Sequence, residues 1–76
     1  MKIKVFGKLT DIFQSDEYTL EQEVSTVSEL KEKLEVQFPE LKTYNYLIVV
    51  DNQNAKDSDS IQKESEVALL PPYSGG

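Results

Sequence analysis

A single amphipathic helix pattern, which starts at Thr26 and stops before Pro39, is the feature that most limits the possible folds of this chain. Thr26 is a suitable helix N-cap, and Glu29 three residues later completes a capping box. Pro39 ends the pattern because the residue before a proline is pushed out of the α conformation. Four apolar residues recur at helical spacing on one face: Val27, Leu30, Leu34 and Phe38. The opposite face is charged, so the helix is predicted to pack on one layer only.

The segments around this helix carry strand patterns. The predicted strands are residues 1–5, 18–24, 46–50 and 67–70, with a helical turn over residues 9–13. The first two strands alternate apolar and polar residues, and the short link between them favours an antiparallel hairpin. Residues 46–50 form a continuous apolar run, which predicts a strand covered on both faces. Between the last two strands, residues 55–63 are polar, with Ile61 as their expected anchor to the core.

One helix on one face of a mixed sheet is an α+β architecture. The order of elements resembles that of the ubiquitin-like β-grasp, in which the first and last strands are adjacent and parallel in the middle of the sheet. We therefore expect a β-grasp domain over residues 1–70 and an extended C-terminal tail over residues 71–76.

Composition excludes several classes of function. The 76 residues include 8 lysines, no arginine and 14 acidic residues, giving a net charge of −6 that would repel a nucleic acid. An acidic protein instead suits a basic protein surface. The longest apolar run is far shorter than the roughly 20 residues that span a bilayer, so no membrane segment is expected and a cytoplasmic location is predicted. The chain has no cysteine and no histidine, and therefore lacks the usual thiol nucleophile and neutral-pH base.

The last eight residues are the most informative part of the sequence for function. They are Leu69, Leu70, Pro71, Pro72, Tyr73, Ser74, Gly75 and Gly76. The two prolines fix φ and favour an extended tail, while the two glycines let the backbone approach a partner closely. Six residues beyond Leu70 reach roughly 20 Å when extended. The Gly76 carboxylate is therefore the predicted reacting group.

This ending resembles that of the small, sulfur-carrying subunit of molybdopterin synthase, the MoaD-like family. The resemblance implies that an activating enzyme similar to the ubiquitin E1 uses ATP to adenylate Gly76, and that sulfur then replaces one oxygen to give a thiocarboxylate. It also implies that the tail inserts into the large catalytic subunit, within a heterotetramer, and donates sulfur to the molybdopterin dithiolene. The chain itself would bind no cofactor and no metal, and would be a non-catalytic carrier subunit. Insertion of the tail would involve Pro71, Pro72, Tyr73, Ser74 and Gly75.

A second feature predicts where a partner docks. Strand parity places Phe6 opposite to the inward-facing residues of the first strand, and it does the same for Ala68 and Leu70 in the last strand. If these strands are neighbours, the three side chains form an exposed apolar patch beside the root of the tail. Such patches mark partner surfaces.

Three alternatives remain open at this point. A ubiquitin-like protein modifier would use the same adenylated glycine but form isopeptide bonds. A sulfur carrier of another pathway, such as thiamine synthesis, would use the same terminus, although its ending is less similar to this one. An interaction domain with an inert tail would not need Gly76. A calcium site at Asp51, Asp57 and Asp59 is not expected, because the glycine and glutamate of the calcium loop are missing.

Overall fold

The computed structural model describes residues 1–72, which form a five-stranded mixed sheet with its helices packed on one face. The elements are β1 (Lys2–Val5), α1 (Leu9–Phe13), β2 (Glu17–Thr19), α2 (Val27–Gln37), a 3-10 turn (Pro39–Thr43), β3 (Leu47–Val50), β4 (Gln53–Asn54) and β5 (Val67–Leu70). The sheet order is β2-β1-β5-β3-β4. β1 pairs antiparallel with β2 and parallel with β5, so the predicted hairpin and the predicted central parallel pair are both confirmed.

The core lies between the sheet and α2, as the alternation in the sequence predicts. β1 buries Ile3 and Val5, and β5 buries Val67 and Leu69, while the residues between them face the other side. The helix contributes three fully buried side chains to the same core: Val27, Leu30 and Leu34. No polar or charged residue within 1–72 is buried. The free energy of folding therefore comes mainly from the burial of apolar surface.

The beginning of α2 is held by the predicted capping interactions. The Thr26 hydroxyl oxygen accepts a hydrogen bond from the Glu29 backbone N–H at 3.2 Å. The Glu29 carboxylate reaches back one residue further than in the usual box and accepts from the Ser25 N–H at 2.7 Å. The helix ends at Gln37, and Pro39 opens the 3-10 turn that follows.

Three aromatic side chains close one end of the core. Phe13 of α1 packs on Phe38 with ring centroids 4.3 Å apart, and Tyr18 of β2 stands edge-on to Phe38 at 5.1 Å. Such tilted arrangements are favoured by the ring quadrupoles. The cluster fixes α1 and β2 against the C-terminal end of α2.

Two expectations about the strands are wrong. β2 ends at Thr19, because the register places Met1 opposite Leu20 and residues 21–24 lie beyond the end of β1. β3 is covered on one face only: Ile48 is buried, but Leu47 is 37% exposed. The reason is that within residues 1–72 the helices pack on a single face of the sheet, which leaves the other face to solvent.

The polar segment before β5 behaves as predicted. Ile61 is buried in the core, while most of the side chains around it are exposed. Its backbone N–H donates to the carbonyl of Ser25 at 2.8 Å, which ties this segment to the start of α2. Within the described part of the chain, no helix is both long enough and apolar enough to cross a membrane.

Candidate functional site

The predicted tail begins where β5 ends, at Leu70. Pro71 is half-buried and Pro72 is exposed. The other four predicted tail residues, Tyr73, Ser74, Gly75 and the reacting Gly76, lie outside the described residues. The division into a domain over 1–70 and a tail over 71–76 therefore stays a prediction.

The root of the tail rests on the turn that follows β1. Gly7 has φ of +62°, in the left-handed region that favours glycine. A Cβ atom added to Gly7 would lie 2.8 Å from Cγ of Pro71 and 3.2 Å from its Cδ, closer than side chains normally approach. The proline ring thus sits directly on the glycine backbone. Nothing in the sequence identified Gly7 as part of the site, since its contact with Pro71 depends on the parallel pairing of β1 and β5.

The three residues predicted to form an apolar patch do lie on one face of the sheet. We call this face, formed by Lys2, Lys4, Phe6, Leu47, Val49, Ala68 and Leu70, the open face. Phe6 is 46% exposed, and Ala68 and Leu70 are half-buried. Phe6, Ala68 and Leu70 line one surface depression together, beside the root of the tail. That a partner docks on this face stays a prediction.

Two further members of the apolar patch were missed in the sequence. β3 pairs antiparallel with β5, which places Leu47 opposite Leu70 and Val49 opposite Ala68. The continuous apolar run of β3 concealed which of its residues face solvent. Alternate residues of a strand lie on opposite faces, so the register with β5 assigns Leu47 and Val49 to the open face. That register cannot be read from the sequence. The patch therefore spans three strands, β1, β5 and β3.

The open face carries charges of both signs around its apolar centre. Lys2 and Lys4 project from β1, and Lys4 lies opposite Glu17 of β2. Lys63 and Glu66 line the same depression. The net charge of −6 is therefore not concentrated on this face. The expectation of a basic partner surface stays a prediction.

The three aspartates considered for calcium have structural roles instead. Asp51 accepts a hydrogen bond from the Glu66 N–H at 2.9 Å, and Asp59 accepts from the Lys56 N–H at 2.8 Å. Asp57 pairs with Lys31 at 2.8 Å. Among residues 1–72, no group of three or more acidic side chains is arranged to hold a metal ion. These side chains hold the loops on either side of β4 and the polar segment before β5.

A comparison with protein families decides the classification. The model of the ThiS family matches residues 3–76, almost the whole chain and including the tail. The chain belongs to the ThiS family. The ThiS family belongs to a wider ThiS/MoaD group of small sulfur-carrier and ubiquitin-like proteins. The fold of this group is the ubiquitin-like β-grasp. The predicted β-grasp fold and membership of the ThiS/MoaD group are thus confirmed, and the assignment to molybdopterin synthase stays a prediction.

Solved structures with the same fold cover nearly the full chain. A Pyrococcus furiosus protein assigned as molybdopterin converting factor subunit 1 has a TM-score of 0.83 at 19% identity, with 95% of each chain covered. SAMP1 from Haloferax volcanii has a TM-score of 0.78 at 21% identity, covering 99% of this chain and 97% of that one. A chain of the Amycolatopsis orientalis BexX/CysO complex has a TM-score of 0.76 at 13% identity, covering 99% and 98%. Identities this low show the ThiS-family fold alone.

Proposed function

We propose that this ThiS-family protein is a sulfur carrier that serves as the small subunit of molybdopterin synthase. The observation that carries the proposal is the position of Pro71 and Pro72, where the predicted tail begins. The central strand β5 leads into Pro71 and Pro72 beside an exposed apolar face, and the sequence then continues to Gly75 and Gly76. The family match extends to Gly76, and one structural neighbour is assigned as a molybdopterin converting factor subunit.

The chemistry belongs to the carboxylate of Gly76. In the first step one carboxylate oxygen attacks the α-phosphorus of ATP, which releases pyrophosphate and leaves an acyl adenylate. A sulfur nucleophile at the oxidation level of sulfide then attacks the carbonyl carbon, and AMP leaves. The product is a thiocarboxylate. Its sulfur passes to the dithiolene of molybdopterin as water cleaves the acyl–sulfur bond, which returns Gly76 to a carboxylate. The chain supplies the carrier group, while the partner enzymes supply ATP binding and catalysis.

The open face is the proposed docking surface for these partners. Phe6, Leu47 and Leu70 expose apolar area at the end of the sheet from which Pro71 leaves. A partner that covers this area would also receive the tail, because Pro71, where the predicted tail begins, follows Leu70 at the same end of the sheet. The large synthase subunit and the activating enzyme would use the face in turn. The proposal includes a cytoplasmic location, where ATP is available.

Protein modification is the second candidate function, favoured by the similarity to SAMP1, whose name identifies it as a small archaeal modifier protein. The same adenylate would then react with the amine of a lysine side chain. An amide bond would form, and AMP would leave. The open face and the tail would serve both functions equally well, so only the acceptor of the Gly76 acyl group separates them.

Reconstitution with the large subunit tests the proposal. The thiocarboxylate form of the protein is mixed with the large subunit and its sulfur-free pterin precursor, and the dithiolene product is quantified. The matched control is the same protein carrying an ordinary carboxylate. We expect product only with the thiocarboxylate form, with conversion of that form to carboxylate. Retention of the thiocarboxylate without product would contradict the assignment to molybdopterin synthase. Lysine adducts formed with the activating enzyme, ATP and a cell extract would favour the modifier.

A further inference from the structure

Pro71 and Pro72, the two described residues after β5, cannot donate hydrogen bonds that would extend the sheet. Beyond the paired residues of β1 and β5, the Phe6 N–H donates to the Leu69 carbonyl at 3.0 Å. Pro71 and Pro72 have no backbone N–H, so neither can donate a further hydrogen bond to the neighbouring chain. The direction in which the chain leaves β5 is therefore set with fewer hydrogen bonds than in a continued strand, and packing of the Pro71 ring on residue 7 contributes to it.

Gly7 provides a fixed surface for this packing. Its carbonyl accepts hydrogen bonds from the Thr10 N–H at 3.1 Å and from the Thr10 hydroxyl at 2.8 Å. On its other side, the hydrogen bond from Phe6 to Leu69 ties the chain to β5. Gly7 is thus held between the sheet and the first turn of α1.

The contact with Pro71 requires the absence of a side chain at residue 7. A Cβ atom there would meet Cγ of Pro71 at 2.8 Å. A proline ring is part of the backbone and cannot rotate away as the end of a flexible side chain does. Any other residue at position 7 would displace either the turn or the root of the tail.

We propose that Gly7 is a positioning residue that sets the direction in which the chain leaves β5 at Pro71, an inference that rests on the proposed carrier function. Gly7 takes no part in the chemistry at Gly76. It allows the ring of Pro71 to lie on the backbone, so that the chain leaves β5 in one direction beside a partner docked on the open face. Catalysis depends strongly on such alignment, and a displacement of 1 Å can cost about a hundred-fold in rate.

The test is a double-mutant cycle in which Gly7→Ala is made with and without Pro71→Ala. The assay is ATP–pyrophosphate exchange by the activating enzyme with the carrier as varied substrate. The exchange rate gives kcat for activation of Gly76. Isothermal titration calorimetry without ATP gives the Kd for docking of the carrier on the activating enzyme. We expect Gly7→Ala to lower kcat by at least about ten-fold, while the Kd for docking changes less than about two-fold. In the Pro71→Ala background, which lacks the ring, Gly7→Ala should leave kcat unchanged.

Backbone strain at residue 7 is controlled separately. Alanine is disfavoured at positive φ, so Gly7→Ala will lower the Tm in both backgrounds. Gly7→Asn carries the same Cβ atom with less strain, because asparagine tolerates this conformation. It should therefore lower kcat as alanine does while remaining folded.

Each outcome has a distinct meaning. Equal kcat for the wild-type protein and for folded Gly7→Asn would overturn the positioning role alone. An equal loss of kcat in both Pro71 backgrounds would also overturn it, because the loss would then come from the turn and not from the contact with the ring. Absence of exchange with the wild-type protein and a competent activating enzyme would instead overturn the carrier function, and the positioning role with it.

Discussion

Tyr46 links the start of the third strand to the main helix through one side-chain hydrogen bond. Its hydroxyl donates to the carboxylate of Glu35 at 2.7 Å, and the ammonium of Lys31 lies 5.9 Å from its ring centroid. Burial raises the pKa of Tyr46 well above its usual value, and the hydrogen bond and negative charge of Glu35 raise it further. The neutral phenol is therefore the form that the folded state favours.

The pH dependence of stability follows from this residue. Because the pKa is higher in the folded state, the contribution of Tyr46 to stability is complete below about pH 10 and is lost as the pH rises above it. We expect Tyr46→Phe to lower the free energy of unfolding by about 1 kcal/mol at neutral pH. The difference from wild type should shrink in denaturant titrations above pH 10. Tyr44→Phe, at an exposed position, is the matched control. A difference that stays constant with pH would contradict this assignment.

At the scale of single residues, the sequence predicts those features that depend on neighbouring residues, such as which side chains of a strand face the core and which residues cap a helix. Alternation was enough to separate Phe6 from Ile3 and Val5, and the capping box identified Thr26 and Glu29. The sequence could not identify Gly7, because the proposed role of Gly7 depends on its contact with Pro71, 64 positions later in the chain. Distant contacts of this kind carry no local signal.

At the scale of elements, the open face is the part of the sheet that the helices leave uncovered. Its apolar centre combines residues from β1, β5 and β3, and Phe6 and Leu47 are its most exposed members. The sequence located the strands and the parallel pair, but not the register between β3 and β5. The continuous apolar run from Tyr46 to Val50 predicts a strand covered on both faces, but helices cover only one face and Leu47 is exposed.

A charge placed on the open face tests its role. We expect Phe6→Lys to weaken docking to the activating enzyme by at least about ten-fold, since a lysine would have to be desolvated in an apolar contact. Because Phe6 is exposed, the free energy of unfolding should change by less than about 0.5 kcal/mol. Val36→Lys is the matched control, because Val36 is 76% exposed on α2, away from the open face.

Two outcomes of the Phe6→Lys experiment would contradict the proposed role of the open face. Docking weakened equally by Phe6→Lys and Val36→Lys would show that the added charge acts on the whole molecule and not on one face. A large loss of folding stability in Phe6→Lys would show that Phe6 belongs to the core.

At the scale of the whole molecule, the fold separates stability from reactivity. Every buried core residue in the described part of the chain is apolar, and the last of them is Leu69 in β5. The predicted reacting group is at Gly76, beyond two prolines. The fold class followed from the order of elements in the sequence, and the proposed carrier role from the resemblance of its last eight residues to a family ending. The pathway could not follow, since carriers and modifiers share both the fold and the kind of terminus that reacts.

The most direct test of the carrier role is the intact mass of the protein after incubation with ATP, an activating enzyme and a sulfur source. We predict an increase equal to the difference between sulfur and oxygen. It should be absent without ATP and absent after deletion of Gly76. The Tm of the deletion variant should be unchanged, because the buried core residues that the structure describes end at Leu69. An unchanged mass with a competent activating enzyme, or an increase that persists without Gly76, would contradict the account.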